Sequence, residues 1–198
     1  MIALDGYLLQ TTKTFYPYVN KLRVVEVDKD VVEKMDWIIF INEYYNRVRV
    51  THSLLSSFLD NPKNDILIGN CNVLFMDTMN TLEGNRSTGL FPLYDIESFL
   101  LKTNHETVVL SANVCKRCGQ ALIKDAYKNI EEQYQSFLFN IITYCQFKIV
   151  DKKKYSYQRE YKSMSMVCFF FVLRKDKSID FKKVDFHVDK GRYCGYPN

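Results

Sequence analysis

Glycine, proline and alanine are scarce in this chain, at 7, 4 and 4 of 198 residues. Glycine lets a backbone approach a phosphate or cofactor closely, so a chain this poor in it has few places for a glycine-rich cradle. Gly84-Asn85-Arg86-Ser87-Thr88-Gly89 has P-loop spacing between its glycines but lacks the Lys-Ser/Thr that grips phosphate. There is no GxSxG elbow and no HExxH, and His52, His105 and His187 form no close pair. Glu131 and Glu132 are adjacent, so on a helix they point apart and make no acid/base dyad. Read from motifs alone, these gaps exclude the recognisable catalytic kits. They predict a protein that is not an enzyme and takes no cofactor and no resident metal.

Long apolar runs are also missing. The longest, Met166 to Leu173, is far too short to span a bilayer. The start, Met1-Ile2-Ala3-Leu4-Asp5-Gly6, has no basic segment leading into an apolar one, so no signal peptide is expected. The expected location is intracellular, in host cytoplasm or nucleus, without membrane attachment. The sequon Asn85-Arg86-Ser87 then reads as chance. Abundant Lys, Asn, Ile, Phe and Tyr suggest an AT-rich coding genome, as in large DNA viruses of insects and in some parasites.

What is present is a folding composition, 47% hydrophobic and 25% charged, with 14 Tyr and 14 Phe. Charge is uneven. Residues 1–145 carry 14 Lys+Arg against 17 Asp+Glu, whereas residues 146–198 carry 13 against 6. The expected organisation is a single domain over 1–198: an N-terminal arm and strand over 1–29, a helical part over 30–145, and a basic β-rich part with a C-terminal tail over 146–198.

Periodicity predicts an α+β, predominantly helical fold. Lys21–Val27 reads as a short strand. A first long helix is predicted from Asp30 to Leu59, with Asp30 and Glu33 at capping-box spacing and Trp37, Ile41, Tyr44, Val48, Leu55 and Phe58 along one face. Residues 61–92 read as irregular, and Asp95 as the cap of a short helix ending near Lys102. Thr107–Leu110 is β-branched, a strand or a buried connection. A second long helix is predicted from Asn113 to Cys145, with Ile123, Tyr127, Ile130, Tyr134, Phe137, Ile141 and Tyr144 in a stripe. Beyond it the period drops to two. Tyr155, Tyr157 and Tyr161, then Ser165–Arg174, then Val184, Phe186 and Val188 read as a C-terminal antiparallel β-meander, with turns at Asp151–Lys154 and Lys175–Ser178.

Cys115-Lys116-Arg117-Cys118 is the sharpest local motif. At a helix start beside two cations its thiols would be activated. A thioredoxin-like pair would need a βαβ surround and a downstream cis-proline, and only Pro197 lies downstream. A zinc site would need a second close pair, which Cys145, Cys168, Cys194, His105 and His187 do not supply. A third reading places Cys71, Cys115, Cys118 and Cys194 as accessible thiols available for inter-chain disulfides, with Cys145 and Cys168 as small core residues; the alternative is that the thiols are buried or simply free. Lys152, Lys153, Lys154, Lys182 and Lys183, interleaved with Tyr155 and Tyr157, form an alternative nucleic-acid face, or a charged guard on a sticky strand.

In size, tyrosine content, thiols placed for cross-linking and absence of a catalytic motif, the chain resembles the occlusion-body matrix proteins (polyhedrins) of insect viruses, of a divergent, nudivirus-like type. The resemblance rests on these global properties rather than on a shared motif. It implies a self-assembling structural protein whose partner is itself, forming a dense lattice around virions. Such a lattice would dissolve at alkaline pH, as Tyr gains and Lys loses charge. The alternative expectation is a small viral protein that binds nucleic acid or a host partner through the basic C-terminal face.

Overall fold

The aliphatic and β-branched runs scattered through the chain assemble into one mixed sheet. The computed structural model describes residues 1–5, 8–78, 82, 84, 89–116, 130–158 and 165–180. Within them the strands are β1 (Ile2–Ala3), β2 (Leu22–Glu26), β3 (Val48–His52), β4 (Val73–Asp77), β5 (Thr107–Cys115), β6 (Phe147–Gln158) and β7 (Ser165–Lys175). They lie in the order β3-β2-β1-β4-β5-β7-β6. The first five are mutually parallel, β7 runs antiparallel to β5, and β6 antiparallel to β7.

Helices join the parallel strands, as such crossovers require. They are α1 (Gln10–Phe15), α2 (Lys29–Ile41), α3 (Leu55–Asp60), α4 (Asp65–Gly69), α5 (Pro92–Lys102) and α6 (Ile130–Tyr144). Strand alternation sends side chains to two cores. On one face Leu9, Met35 and Ile39 from the α1–α2 side pack on Ala3, Leu22, Val24 and Val48. On the other, Leu55, Phe58, Ile96, Phe99, Tyr134 and Ile141 from α3, α5 and α6 pack on Ile2, Val25, Leu74, Leu110, Phe169 and Phe171. The architecture is a three-layer α/β sandwich.

This corrects the expectation of a predominantly helical α+β fold. The stretch expected as one helix from Asp30 to Leu59 is a helix, a strand and a short helix. Asp28, not Asp30, caps α2, its carboxylate accepting the N–H groups of Asp30 and Val31. The helix stops at Asn42, and Glu43 adopts a left-handed φ of 57° that turns the chain back. Val48, Val50 and Thr51, stiff at χ1, then favour the strand. The three- and four-residue spacing was coincidental: Trp37 and Ile41 are 64% and 56% exposed, while Met35 and Ile39 face the core.

The second long helix is corrected in the same way. Asn113–Cys115 ends β5, which is buried from Val108 to Cys115 apart from the half-buried Val109. A parallel strand covered on both faces reads as a continuous apolar run, without the alternation that marks an exposed-face strand. The helix proper starts at Ile130 in the described residues. The C-terminal strands β6 and β7 are not a separate meander, and Tyr161, Val184, Phe186 and Val188 of the expected meander lie outside the described residues. β7 inserts between β5 and β6, pairing with β5 from Thr107↔Arg174 to Cys115↔Met166. The Asp151–Lys154 segment, expected as a turn, lies inside β6 next to a register irregularity at Ile149/Asp151. No helix among the described residues is long and apolar enough to cross a membrane.

Candidate functional site

The chain steps outward from β1 to β2 and β3, then returns to the other side of β1 for β4. Connections leaving β1 and β4 therefore diverge, and an open α/β sheet forms its ligand crevice outside the carboxyl ends of the strands at such a switch point. Three carboxylates collect there: Asp5 after β1, Glu26 at the end of β2 and Asp77 at the end of β4. Alternation from Ala3, Val24 and Phe75, which belong to the α1–α2 core, sets all three on that same side of the sheet.

Each is held in a defined way. The Asp5 carboxylate, 8% exposed, accepts from Thr12 N at 2.7 Å and Thr11 N at 3.2 Å, anchoring the start of α1. Glu26 Oε1 accepts from Val27 N and Asp28 N at 2.7 and 2.8 Å, and Oε2 has no hydrogen bond among the described residues. Beside Glu26 in register stands His52, whose Nε2 lies 2.9 Å from Val27 O. Ser53 N donates to Glu26 O at 2.8 Å, tying the ends of β2 and β3.

On the other flank Asp77 Oδ1 accepts from Asn113 Nδ2 at 2.7 Å, and the same amide nitrogen donates to Tyr157 Oη at 2.6 Å. Asn113 is 7% exposed. Its Nδ2 serves two acceptors, so its Oδ1 faces away from the carboxylate. That buried oxygen has no hydrogen-bond partner among the described residues. A buried acceptor left unpaired is a standing cost, and a ligand N–H or O–H would relieve it. Thr78 closes the end of β4, its N and Oγ1 both donating to Asn113 O.

Glu131, in the first turn of α6, braces this flank. It pairs with Lys116 just past β5 and with Lys154 on β6 at 2.8 Å, and it accepts from Ser156 Oγ at 2.7 Å. The hydrogen bonds from Lys116 and Lys154 bring its pKa down to about 2. Cys168, near Asp77, remains a thiol: burial raises its pKa, the Ser111 hydrogen bond opposes that, and the Asp77 charge adds to it.

Among the described residues, those singled out from the sequence do not come together. Cys71 and Cys115 are 7% and 1% exposed, so neither presents a thiol at the surface, and Cys115 closes a strand rather than opening a helix. Cys118, Cys194, Lys182 and Lys183 lie outside the described residues. Cys145 is buried, with its pKa raised by burial and by Glu97. No cluster of metal-binding side chains occurs among the described residues. Lys152 and Lys154 point towards α6, one over the Phe139 ring at 4.9 Å and the other on Glu131, while Lys153 alternates to the opposite face. Sequence reasoning passed over Asp5, Glu26 and Asp77. One signal marks all three: a short apolar run ending in a carboxylate, as in Ile2-Ala3-Leu4-Asp5, Val24-Val25-Glu26 and Leu74-Phe75-Met76-Asp77.

No family model matches this sequence, and no curated protein matches it. Solved structures do match in fold. M. jannaschii TYW2, solved in complex with AdoMet, is 10% identical with a TM-score of 0.62, over 88% of this chain and 68% of that one. The [4+2]-cyclase SpnF is 12% identical with a TM-score of 0.58, over 88% and 74%. A candidate RNA methyltransferase of Pyrococcus horikoshii is 11% identical with a TM-score of 0.55, over 88% and 73%. What they share with this chain is the fold, a Rossmann-like α/β sheet. These neighbours overturn the resemblance to occlusion-body matrix proteins and the expectation of a lattice-forming structural protein. They also stand against the expectation that the chain is not an enzyme, and they lend the nucleic-acid alternative no added support.

Proposed function

We propose that the chain is an AdoMet-dependent methyltransferase. One observation carries the reading beyond the fold: Asp5, Glu26 and Asp77 gather on one side of the sheet at the switch point, in a chain whose formal net charge is +4. AdoMet bears a sulfonium, an ammonium and a ribose diol, and this set of acceptors suits a cationic, hydroxyl-bearing ligand. Glu26 stands about twenty residues beyond Gly6, the spacing at which a carboxylate at the end of β2 meets a ribose in nucleotide-binding sheets. The β1–α1 turn departs from the dinucleotide pattern, having Gly6 but no second glycine before α1. That second glycine serves approach to a pyrophosphate, which AdoMet lacks. The residues present therefore fit AdoMet better than a dinucleotide.

Bound AdoMet supplies a methyl group activated by its sulfonium. With AdoMet bound, Glu26 Oε2 would accept from the ribose hydroxyls, and Asp5 anchors the start of α1 through Thr11 and Thr12. Asp77 and the unpaired Asn113 Oδ1 offer acceptors to an incoming substrate, which selects a nucleophile presenting N–H or O–H. Glu131 holds the ends of β5 and β6 in place around them.

The test is transfer of a tritiated methyl group from AdoMet into separated RNA, protein and small-metabolite fractions. Label in one fraction, lost in Asp77→Ala, supports the reading. Folded protein that transfers label to none of them contradicts it.

A further inference from the structure

A second site lies at the opposite end of the sheet. Around the amino ends of β1 to β4 opens a cleft of about 930 Å³, within the range of small-molecule pockets. Lys21, Arg23, Arg47, Arg49 and Lys63 line it, and among the described residues no Asp or Glu does. Five cations without a carboxylate are far from the average of a chain holding 27 Lys+Arg against 23 Asp+Glu.

The guanidinium groups are positioned rather than neutralised. Arg23 and Arg49 stand directly opposite each other on β2 and β3, an arrangement of like charges that destabilises a sheet. Arg23 Nη1 donates to Thr51 Oγ1 at 3.3 Å, and Arg49 Nη1 donates to Tyr45 O and, at 3.2 Å, to Val48 O. Arg47 stacks on the Tyr16 ring at 4.3 Å, its Nη1 directed at Tyr16 O and Val19 O. Every one of these acceptors is neutral. Burial, and secondarily the Arg49 charge, lower the Arg23 pKa, so its protonated form is held at a cost that an anion would remove. Tyr18 and Ile66, 83% and 81% exposed, add an aromatic ring and an aliphatic wall to the same cleft.

We infer that this cleft binds an organic phosphate of nucleotide size, its phosphates on Arg23, Arg47 and Arg49 and its base against Tyr18. Bidentate donors on fixed stems are what phosphate recognition uses, and an exposed ring gives a base a stacking surface. The inference does not rest on methyl transfer, because the two sites occupy opposite ends of the strands.

Calorimetric titration at physiological salt tests it, with ATP, inorganic pyrophosphate and a short oligonucleotide as probes. ATP is expected to bind saturably at one site, more tightly than pyrophosphate. Arg49→Ala should weaken it at least about ten-fold, the scale of one lost charged hydrogen bond. Tyr18→Ala should remove the advantage of ATP over pyrophosphate. Glu26→Ala and excess AdoMet should leave ATP binding unchanged; displacement by AdoMet would assign the ATP to the other crevice and overturn the inference. Circular dichroism checks that each variant is folded. Equal ATP affinity in wild type and Arg49→Ala would overturn it, as would the absence of saturable binding. Binding of the oligonucleotide but not of ATP would replace a nucleotide pocket with a backbone track.

Discussion

Replacing Glu131 by Gln removes the charge that joins three segments of the site: Lys116 beyond β5, Lys154 on β6 and the first turn of α6. Its pKa falls from 4.5 to about 2 in the fold. Linkage converts a shift of that size to about 3 kcal/mol as a ceiling. The Glu131 side chain is 24% exposed and Lys154 40% exposed. Solvent screening therefore reduces the expected loss to about 1–2 kcal/mol, or a fall of about 3–6 °C in Tm for a chain of this size. The sign follows from the depressed pKa. The stabilisation is fully present above pH 4.5 and is lost as pH falls towards 2. Thermal unfolding of wild type and Glu131→Gln, followed from pH 7 to pH 2, should show two curves that are separated at neutral pH and converge in acid. Curves that coincide at pH 7, or that stay equally separated at pH 2, would refute the reasoning.

Other perturbations probe the packing around the site. Phe171 is 1% exposed and stacks with Phe169 at 6.3 Å, so Phe171→Ala should cost about 3–5 kcal/mol and lower the urea midpoint with little change in slope. Tyr157→Phe leaves one Asn113 amide hydrogen bond unmade and should cost about 1–2 kcal/mol in the same assay; an unchanged midpoint would argue against the Asp77–Asn113–Tyr157 chain. Gly84 has a φ of 87°, and an added Cβ would lie 2.1 Å from Leu90 O. Gly84→Ala should therefore destabilise by about 1–3 kcal/mol, whereas a Tm equal to wild type would contradict that geometry.

Local signals were legible where one physical cause dominated. The strand expected at Lys21–Val27 lies at Leu22–Glu26, the apolar run from Ser165 is β7, and the short helix ending at Lys102 is α5, although it starts at Pro92 and Asp95 lies within it rather than capping it. Failure came where two causes overlapped. Val48, Leu55 and Phe58 fall at helical intervals from Trp37, yet Glu43 reverses the chain between them. The β5 segment is buried on both faces, so it lacks alternation, and Asn113–Cys115 merged with the helix that follows. The site was less legible than the fold. Its carboxylates sit far apart in sequence, and only the parallel sheet order brings Asp5, Glu26 and Asp77 to one end. A search for local motifs cannot see such a constellation, and the glycine poverty that argued against a cofactor bears on pyrophosphate cradles rather than on every nucleotide-like ligand. The tallies of size, tyrosine and cysteine behind the polyhedrin resemblance carry no positional information.

The most direct test of the central claim is calorimetric titration of the wild-type protein and Glu26→Ala with AdoMet. The account predicts saturable one-to-one binding to wild type, weakened about 10- to 100-fold in the variant through loss of a charged acceptor for the ribose hydroxyls. Folded wild-type protein that does not bind AdoMet, or binding that Glu26→Ala leaves unchanged, would contradict it.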